Sequence, residues 1–181
     1  MSGTQRRSVI MGTGSELPTK VITNTDLEKM VDTSDEWITV RTGIKQRRVL
    51  EEGKGNADMA FHAALRALED AKMEAKDLDA IVMGTCTADY PFPSSACVLE
   101  DMLGARNVFS FDVNAACSGF LNALAISDSF IRTGMAGMCW SWDPMRSAAY
   151  SIGRIERLAS SSVTAPAPWC LEYQKTAIGE F

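Results

Sequence analysis

Along residues 56 to 73 the apolar side chains Ala57, Ala60, Phe61, Ala64, Leu65 and Leu68 recur at helical spacing, and Asp58, His62, Arg66, Glu69 and Lys72 fall largely on the other side. This pattern predicts an amphipathic helix with one face on a core. The next run, Asp79-Ala-Ile-Val-Met-Gly-Thr-Cys, is continuously apolar after its first residue, as in a strand covered on both faces. Pro93-Ser-Ser opens a further helix that ends near Gly104. A stretch with strand character, Val108 to Val113, then leads through Asn-Ala-Ala-Cys-Ser-Gly into a strongly apolar helix carrying Phe120, Leu121, Leu124, Ala125 and Ile126. Nearer the start, Ser8 to Gly12 reads as a short buried strand, and Asn24 before Thr-Asp-Leu-Glu reads as the N-cap of a short helix. Alternation of strand and helix favours an α/β layered fold around a largely central sheet, with no short internal repeat to suggest otherwise.

Composition narrows this picture. A chain of 181 residues, 46% of them hydrophobic, is sized for one domain with a packed core. The formal charge is −5 and the basic residues are scattered except at Arg6-Arg7 and Lys45-Gln46-Arg47-Arg48, which gives little support to a nucleic-acid partner. No apolar run approaches the roughly 20 residues of a membrane span, and the N-terminal segment lacks the pattern of a signal peptide, so the expected compartment is the cytosol. Five cysteines with no CxxC pair, beside a single histidine, fit neither a disulfide framework nor a zinc site. Reduced thiols and no metal are the expectation.

Candidate chemistry centres on Cys117. If the strand ends near Asn114, Cys117 falls in the first turn of the following helix, where unpaired backbone N–H groups and the helix dipole favour a thiolate. The small neighbours Ala115, Ala116, Ser118 and Gly119 leave room for a substrate, an arrangement suited to acyl transfer. A free cysteine is also often a small buried hydrophobe, and spacing alone leaves both readings open. Cys86 and Cys97, inside apolar segments without an activating charged neighbour, read as buried packing residues.

Three stretches, DTSDEWITVRTGIKQRR at 32 to 48, FPSSACVLEDMLGA at 92 to 105 and FDVNAACSGFLNAL at 111 to 124, resemble the N-terminal half of β-ketoacyl-acyl carrier protein synthase III, of the thiolase-like condensing enzymes. The resemblance runs from about Ser8 to Gly137. It implies a layered αβαβα fold built from two similar halves, of which this chain holds the first, and a homodimer whose central sheets join. It also implies that Cys117 attacks an acyl-coenzyme A thioester and passes the acyl group to the carbanion from malonyl-acyl carrier protein, with no cofactor beyond these substrates. Trp37 and Arg41 match residues that meet coenzyme A, and Thr33 lies in the same motif; an indole can stack on adenine and a guanidinium can pair with phosphate. Their plainer readings are a partly buried aromatic and a surface ion pair of Arg41 with Asp35 or Glu36. Phe92 matches an aromatic that lines the partner's acyl pocket across the dimer, and a loop anchor is the alternative.

The same resemblance calls for a histidine and an asparagine from the second half, with a glycine amide completing the oxyanion hole. His62 belongs to no matching motif, so these 181 residues are expected to be truncated and inactive in condensation by themselves. From Met138 the pattern changes: the segment to Cys170 holds three of the four tryptophans and six serines, with no convincing helical or strand period, where the family continues with an apolar strand. Codons for Ala159 to Glu172, read one base early, permit CVLFGDGAGAVVLG, and those for Met138 to Asp143 permit NVLVVG; both resemble what the family carries at these places. The expected organisation is therefore a family half over residues 1 to 137 and an out-of-frame tail over 138 to 181, in which Ala159 to Cys170 forms no regular element.

Overall fold

In a computed structural model of the chain, residues 7 to 143 and 148 to 155 are described. The expectation for Ala159 to Cys170 lies outside them. The chain divides into two compact units, one built from residues 7 to 16 together with the described residues from 54 onward, the other from residues 17 to 53.

The larger unit is organised by a five-stranded sheet of β1 (Arg7–Ser15), β4 (Ala80–Gly84), β5 (Phe109–Val113), β6 (Met138–Asp143) and β7 (Ala148–Ile155), in the order β1-β7-β6-β4-β5. Strand β4 pairs in parallel with β5 on one side and β6 on the other, and β7 runs antiparallel to both β6 and β1. Every residue of β4 is buried, as its unbroken apolar run requires, and burying each large side chain there (Ile81, Val82, Met83) is worth about 1.5–3 kcal/mol.

Helix α3 (Asn56–Ala71) buries Ala57, Ala60, Ala64 and Leu68 as its spacing predicts, while Leu65 and His62 are exposed. It lies so close to β1 that a Cβ added at Gly14 would come within 2.1 Å of the Ala63 carbonyl oxygen. Glycine is therefore required by the helix–strand approach. Helix α4 (Ser95–Leu103) begins at the N-cap Ser94, whose hydroxyl accepts from the Cys97 N–H, and stops at Gly104 in the left-handed region. Helix α5 (Gly119–Thr133) covers Ala80 and Cys139 with Ile131, backed by Phe130 and Leu124.

The smaller unit is a β-hairpin of β2 (Lys20–Thr23) and β3 (Gln46–Val49), enclosing the short α1 (Asn24–Glu28) and α2 (Asp35–Thr42). The cap of α1 is Thr23, which forms a reciprocal capping box with Asp26; Asn24 is the first helical residue and is buried. Sequence pattern places the cap one residue late because both positions are good caps and only the fold buries one of them.

Two further expectations change. Strand β1 is longer than the segment Ser8 to Gly12, stands at the end of the sheet order, and leaves the side chains of Ile10 and Met11 exposed rather than buried. The segment after Gly137, which shows no strand period, supplies β6 and β7. Asp79 accounts for part of this: its carboxylate accepts from the N–H groups of Gly137 (2.7 Å) and Met138 (2.9 Å), and its own N–H donates to the Met138 carbonyl. The start of β6 is thereby tied to the start of β4 whatever side chains follow.

Candidate active site

Two successive connections set the place. The first, through α4, leads from β4 to the adjacent β5; the second, through α5, leads from β5 back past β4 to β6. The connections leave in opposite directions, so a switch point of the kind where α/β sheets bind ligands falls between the carboxyl ends of β4 and β6. Cys117 lies four residues after the end of β5, on the turn that brings the start of α5 onto the carboxyl end of β4, and is exposed. It occupies a short 3₁₀ turn, Ala116–Ser118, rather than the first turn of the α-helix, which starts at Gly119.

The turn is held locally. Ala116 adopts φ 42°, a left-handed conformation that costs a residue with a Cβ some strain and that recurs at functional sites. Ser118 donates to the Ala115 carbonyl through both its N–H (3.0 Å) and its hydroxyl (2.8 Å). The residue before α5, Ser118, gives the helix no side-chain cap, and the start of the helix sets an electropositive end beside the thiol. That end sits directly on β4: a Cβ added at Gly84 would lie 2.5 Å from the Gly119 carbonyl carbon. Two glycines at the crossing set the height of Cys117 over the sheet.

The loop from β4 to α4 is anchored by carboxylates acting as caps. Asp112 in β5 accepts from the N–H groups of Ser95 and Ala96, both at 2.9 Å, and so caps α4. Asp89 accepts from Asn56 N–H (2.5 Å) and Ala57 N–H (2.8 Å), capping α3, and its own N–H donates to the Ser95 hydroxyl at 3.1 Å. Asn56 in turn donates to the Thr87 carbonyl. Sequence reasoning misses Asp89 and Asp112 because their partners lie 16 to 33 positions away, beyond any local capping pattern. At the tip of the loop Phe92 is 89% exposed. Cys86, in the same loop, is exposed rather than buried as its apolar run suggests, because the run outlasts the strand by two residues. Cys97 is half-buried against the Ser94 hydroxyl and the Ser110 carbonyl.

In the smaller unit, Trp37 and Arg41 lie one turn apart on α2, and the Arg41 guanidinium carbon sits 4.4 Å from the centre of the Trp37 ring. The pair is a cation–π stack with the indole 53% exposed. Among the described residues Arg41 makes no ion pair with Asp35 or Glu36; Asp35 is instead held by Asn24 and Thr39. Ser34 caps α2 by accepting from the Trp37 N–H at 3.1 Å, and Thr33 precedes it, half-buried. Among the described residues no helix is long and apolar enough to cross a membrane.

Known proteins resemble this chain in both sequence and fold. The family model described as 3-oxoacyl-[acyl-carrier-protein (ACP)] synthase III matches residues 111–139, the stretch that holds Cys117 and its turn. A β-ketoacyl-[acyl-carrier-protein] synthase III of Caldanaerobacter subterraneus subsp. tengcongensis is 55% identical over 126 residues, which make up 70% of this chain and 38% of that protein. The crystal structure of 3-oxoacyl-[acyl-carrier-protein] synthase III from Aquifex aeolicus VF5 superposes with a TM-score of 0.76 at 42% identity, over 84% of this chain and 55% of that one. The chain belongs to the β-ketoacyl-acyl carrier protein synthase III family. It carries the N-terminal part of the layered thiolase-like fold of that family, and spans only 38% and 40% of the length of the first two curated relatives it matches. The priming β-ketosynthase from the R1128 polyketide biosynthetic pathway superposes with a TM-score of 0.76 at 28% identity, over 87% of this chain and 53% of that one.

Proposed function

We propose that this chain is the first part of a β-ketoacyl-acyl carrier protein synthase III in which Cys117 is the acyl acceptor. The observation that carries the reading is the exposed Cys117, presented on a strained turn between the end of β5 and the start of α5. In the reaction, the Cys117 sulfur attacks the carbonyl carbon of an acyl-coenzyme A. A new C–S bond forms, the bond to the coenzyme A sulfur breaks, and coenzyme A leaves as its thiolate and takes up a proton. The N–H groups at the start of α5 favour negative charge developing near them. The acyl group then passes to the carbanion left when malonyl-acyl carrier protein loses carbon dioxide, giving the β-ketoacyl product. Trp37 and Arg41 supply an aromatic face and a cation for the adenine and phosphates, with Thr33 beside them. Phe92 serves the acyl pocket of the second copy in a cytosolic homodimer, a role its exposure suits.

Condensation needs more than an acyl acceptor. His62, the single histidine, is exposed on α3 with its ring edge-on to Phe61 at 5.5 Å, and serves no catalytic base role in this reading. The residues from Met138 onward are read as an out-of-frame continuation. Two findings support this: the family match stops at residue 139, and the indole nitrogens of Trp140 and Trp142 are buried without a hydrogen-bond partner among the described residues. Buried donors left unpaired are uncommon in natural cores.

The test is intact-mass analysis of the purified 181 residues, free of any host synthase, after incubation with acyl-coenzyme A, beside Cys117→Ala. An adduct on Cys117 alone, with no β-ketoacyl product when malonyl-acyl carrier protein is added, is the expected result. Turnover at an ordinary enzymatic rate would overturn the inactive half of the reading, and absence of the adduct would overturn the rest.

A further inference from the structure

Asn24 is 1% exposed, and every polar atom of its side chain is used. Its amide nitrogen donates to Asp35 Oδ1 (2.7 Å), the first residue of α2, and to the Ile44 carbonyl (2.7 Å), just past the end of α2, with Thr39 Oγ1 in the middle of the helix at 3.4 Å. Its amide oxygen accepts from Arg47 Nη2 at 2.9 Å, and its backbone N–H donates to the Lys45 carbonyl at 3.2 Å. One buried side chain therefore grips both ends of the helix on which Trp37 and Arg41 stack, and ties that helix to strand β3. An eight-residue helix is too short to be stable in isolation, so its place is set by such ties.

We infer that Asn24 is a positioning residue for the nucleotide end of the thioester substrate, acting through α2 by holding the Trp37–Arg41 stack in register. The inference rests on the reading of that stack as the coenzyme A contact. The electrostatics agree with the geometry: the Asn24 amide, ahead of the Thr39 hydroxyl and the Lys45 charge, holds the Asp35 carboxyl below its ordinary range. Asp35 thus stays an anion and keeps accepting from Asn24 at neutral pH. A folded carboxyl with a lowered pKa stabilises above its unfolded value and loses that contribution as pH falls through the folded value, so the grip weakens only in acid.

The role separates from general support of the fold by comparing two acyl donors for Cys117. Coenzyme A thioesters engage the nucleotide contact; the matching N-acetylcysteamine thioester has no nucleotide. In Asn24→Leu, calorimetric affinity for coenzyme A is expected to fall about tenfold, the scale of one or two lost buried hydrogen bonds, while acylation of Cys117 by the N-acetylcysteamine thioester stays within about twofold. Asn24→Ser, smaller and still polar, gives the same split at lower amplitude if the leucine variant does not fold. Wild-type coenzyme A affinity in a folded variant, or equal loss with both donors, overturns the inference. Trp37→Ala tests the underlying reading on its own: if it leaves coenzyme A affinity unchanged, the stack is not the nucleotide contact, whatever Asn24 does.

Discussion

Strands β4 and β6 lie side by side in one sheet, at the same depth, with Ala80 opposite Cys139, Ile81 opposite Trp140, Val82 opposite Ser141 and Met83 opposite Trp142. Both are buried, yet they are buried on different terms. Strand β4 presents only aliphatic and thioether groups. Strand β6 brings a thiol, a hydroxyl and two indoles into the same layer. The Ser141 hydroxyl is matched by Ser127 of α5 at 2.8 Å, and the stacked rings of Trp140 and Trp142 fill space, but their N–H groups find no partner among the described residues. A strand can thus be placed by its connections and by the backbone ladder while its side chains fit poorly. Placement by the Asp79 clamp and by the parallel register to β4 is a backbone matter; the quality of the core is not.

The largest expected difference between the two strands appears at high pH. Burial, with the Asp79 charge as a second cause, pushes the Cys139 thiol from 9.0 up to about 12. A raised value means that the contribution to stability is complete below pH 9 and is lost as pH rises toward 12. Ala80, opposite, cannot titrate. Each unit is worth about 1.4 kcal/mol, so by pH 11 unfolding titrations of the wild type should have lost about 3 kcal/mol more than those of Cys139→Val. Parallel pH curves for the two proteins would show that the thiol is not buried as described.

Next in size is the clamp. Asp79→Ala leaves the Gly137 and Met138 N–H groups without their acceptor, and urea unfolding should report a loss of about 1–3 kcal/mol, with amide exchange accelerating first in β6 and not in β4. Uniform acceleration across the sheet would mean that the clamp does not single out β6.

The smallest effect sharpens the comparison most. Trp140→Leu with Trp142→Val, the residues that a one-base shift of frame permits, removes apolar volume but also removes two unpaired buried donors. These oppose one another, and the net change should stay within about 1 kcal/mol, against about 2–5 kcal/mol for Ile81→Ala across the ladder. If the double variant costs more than Ile81→Ala, the indoles are well accommodated and the out-of-frame reading loses its structural support.

The sequence by itself determined the elements whose information is local. Helix α3 follows from apolar spacing, α4 from Ser94 and Gly104, β4 from its apolar run, and the junction of β5 with α5 from the change of period around Cys117. Those signals hold wherever the segment ends up, because they depend on residues within a turn or two. The motif marked Trp37 and Arg41 as candidate contacts, but that they lie one turn apart on a helix and stack was not legible in it. Only the tertiary structure decided that Asp89 and Asp112 cap distant helices, that Asn24 is a buried hub and Thr23 the cap, that Cys86 is exposed while Cys139 is buried, and that residues 138 to 143 and 148 to 155 enter the sheet. Each of these depends on what the fold brings alongside. Hydrogen-bond partners tens of residues apart leave no periodic trace in the chain, and strand pairing is set by backbone groups that every residue except proline shares.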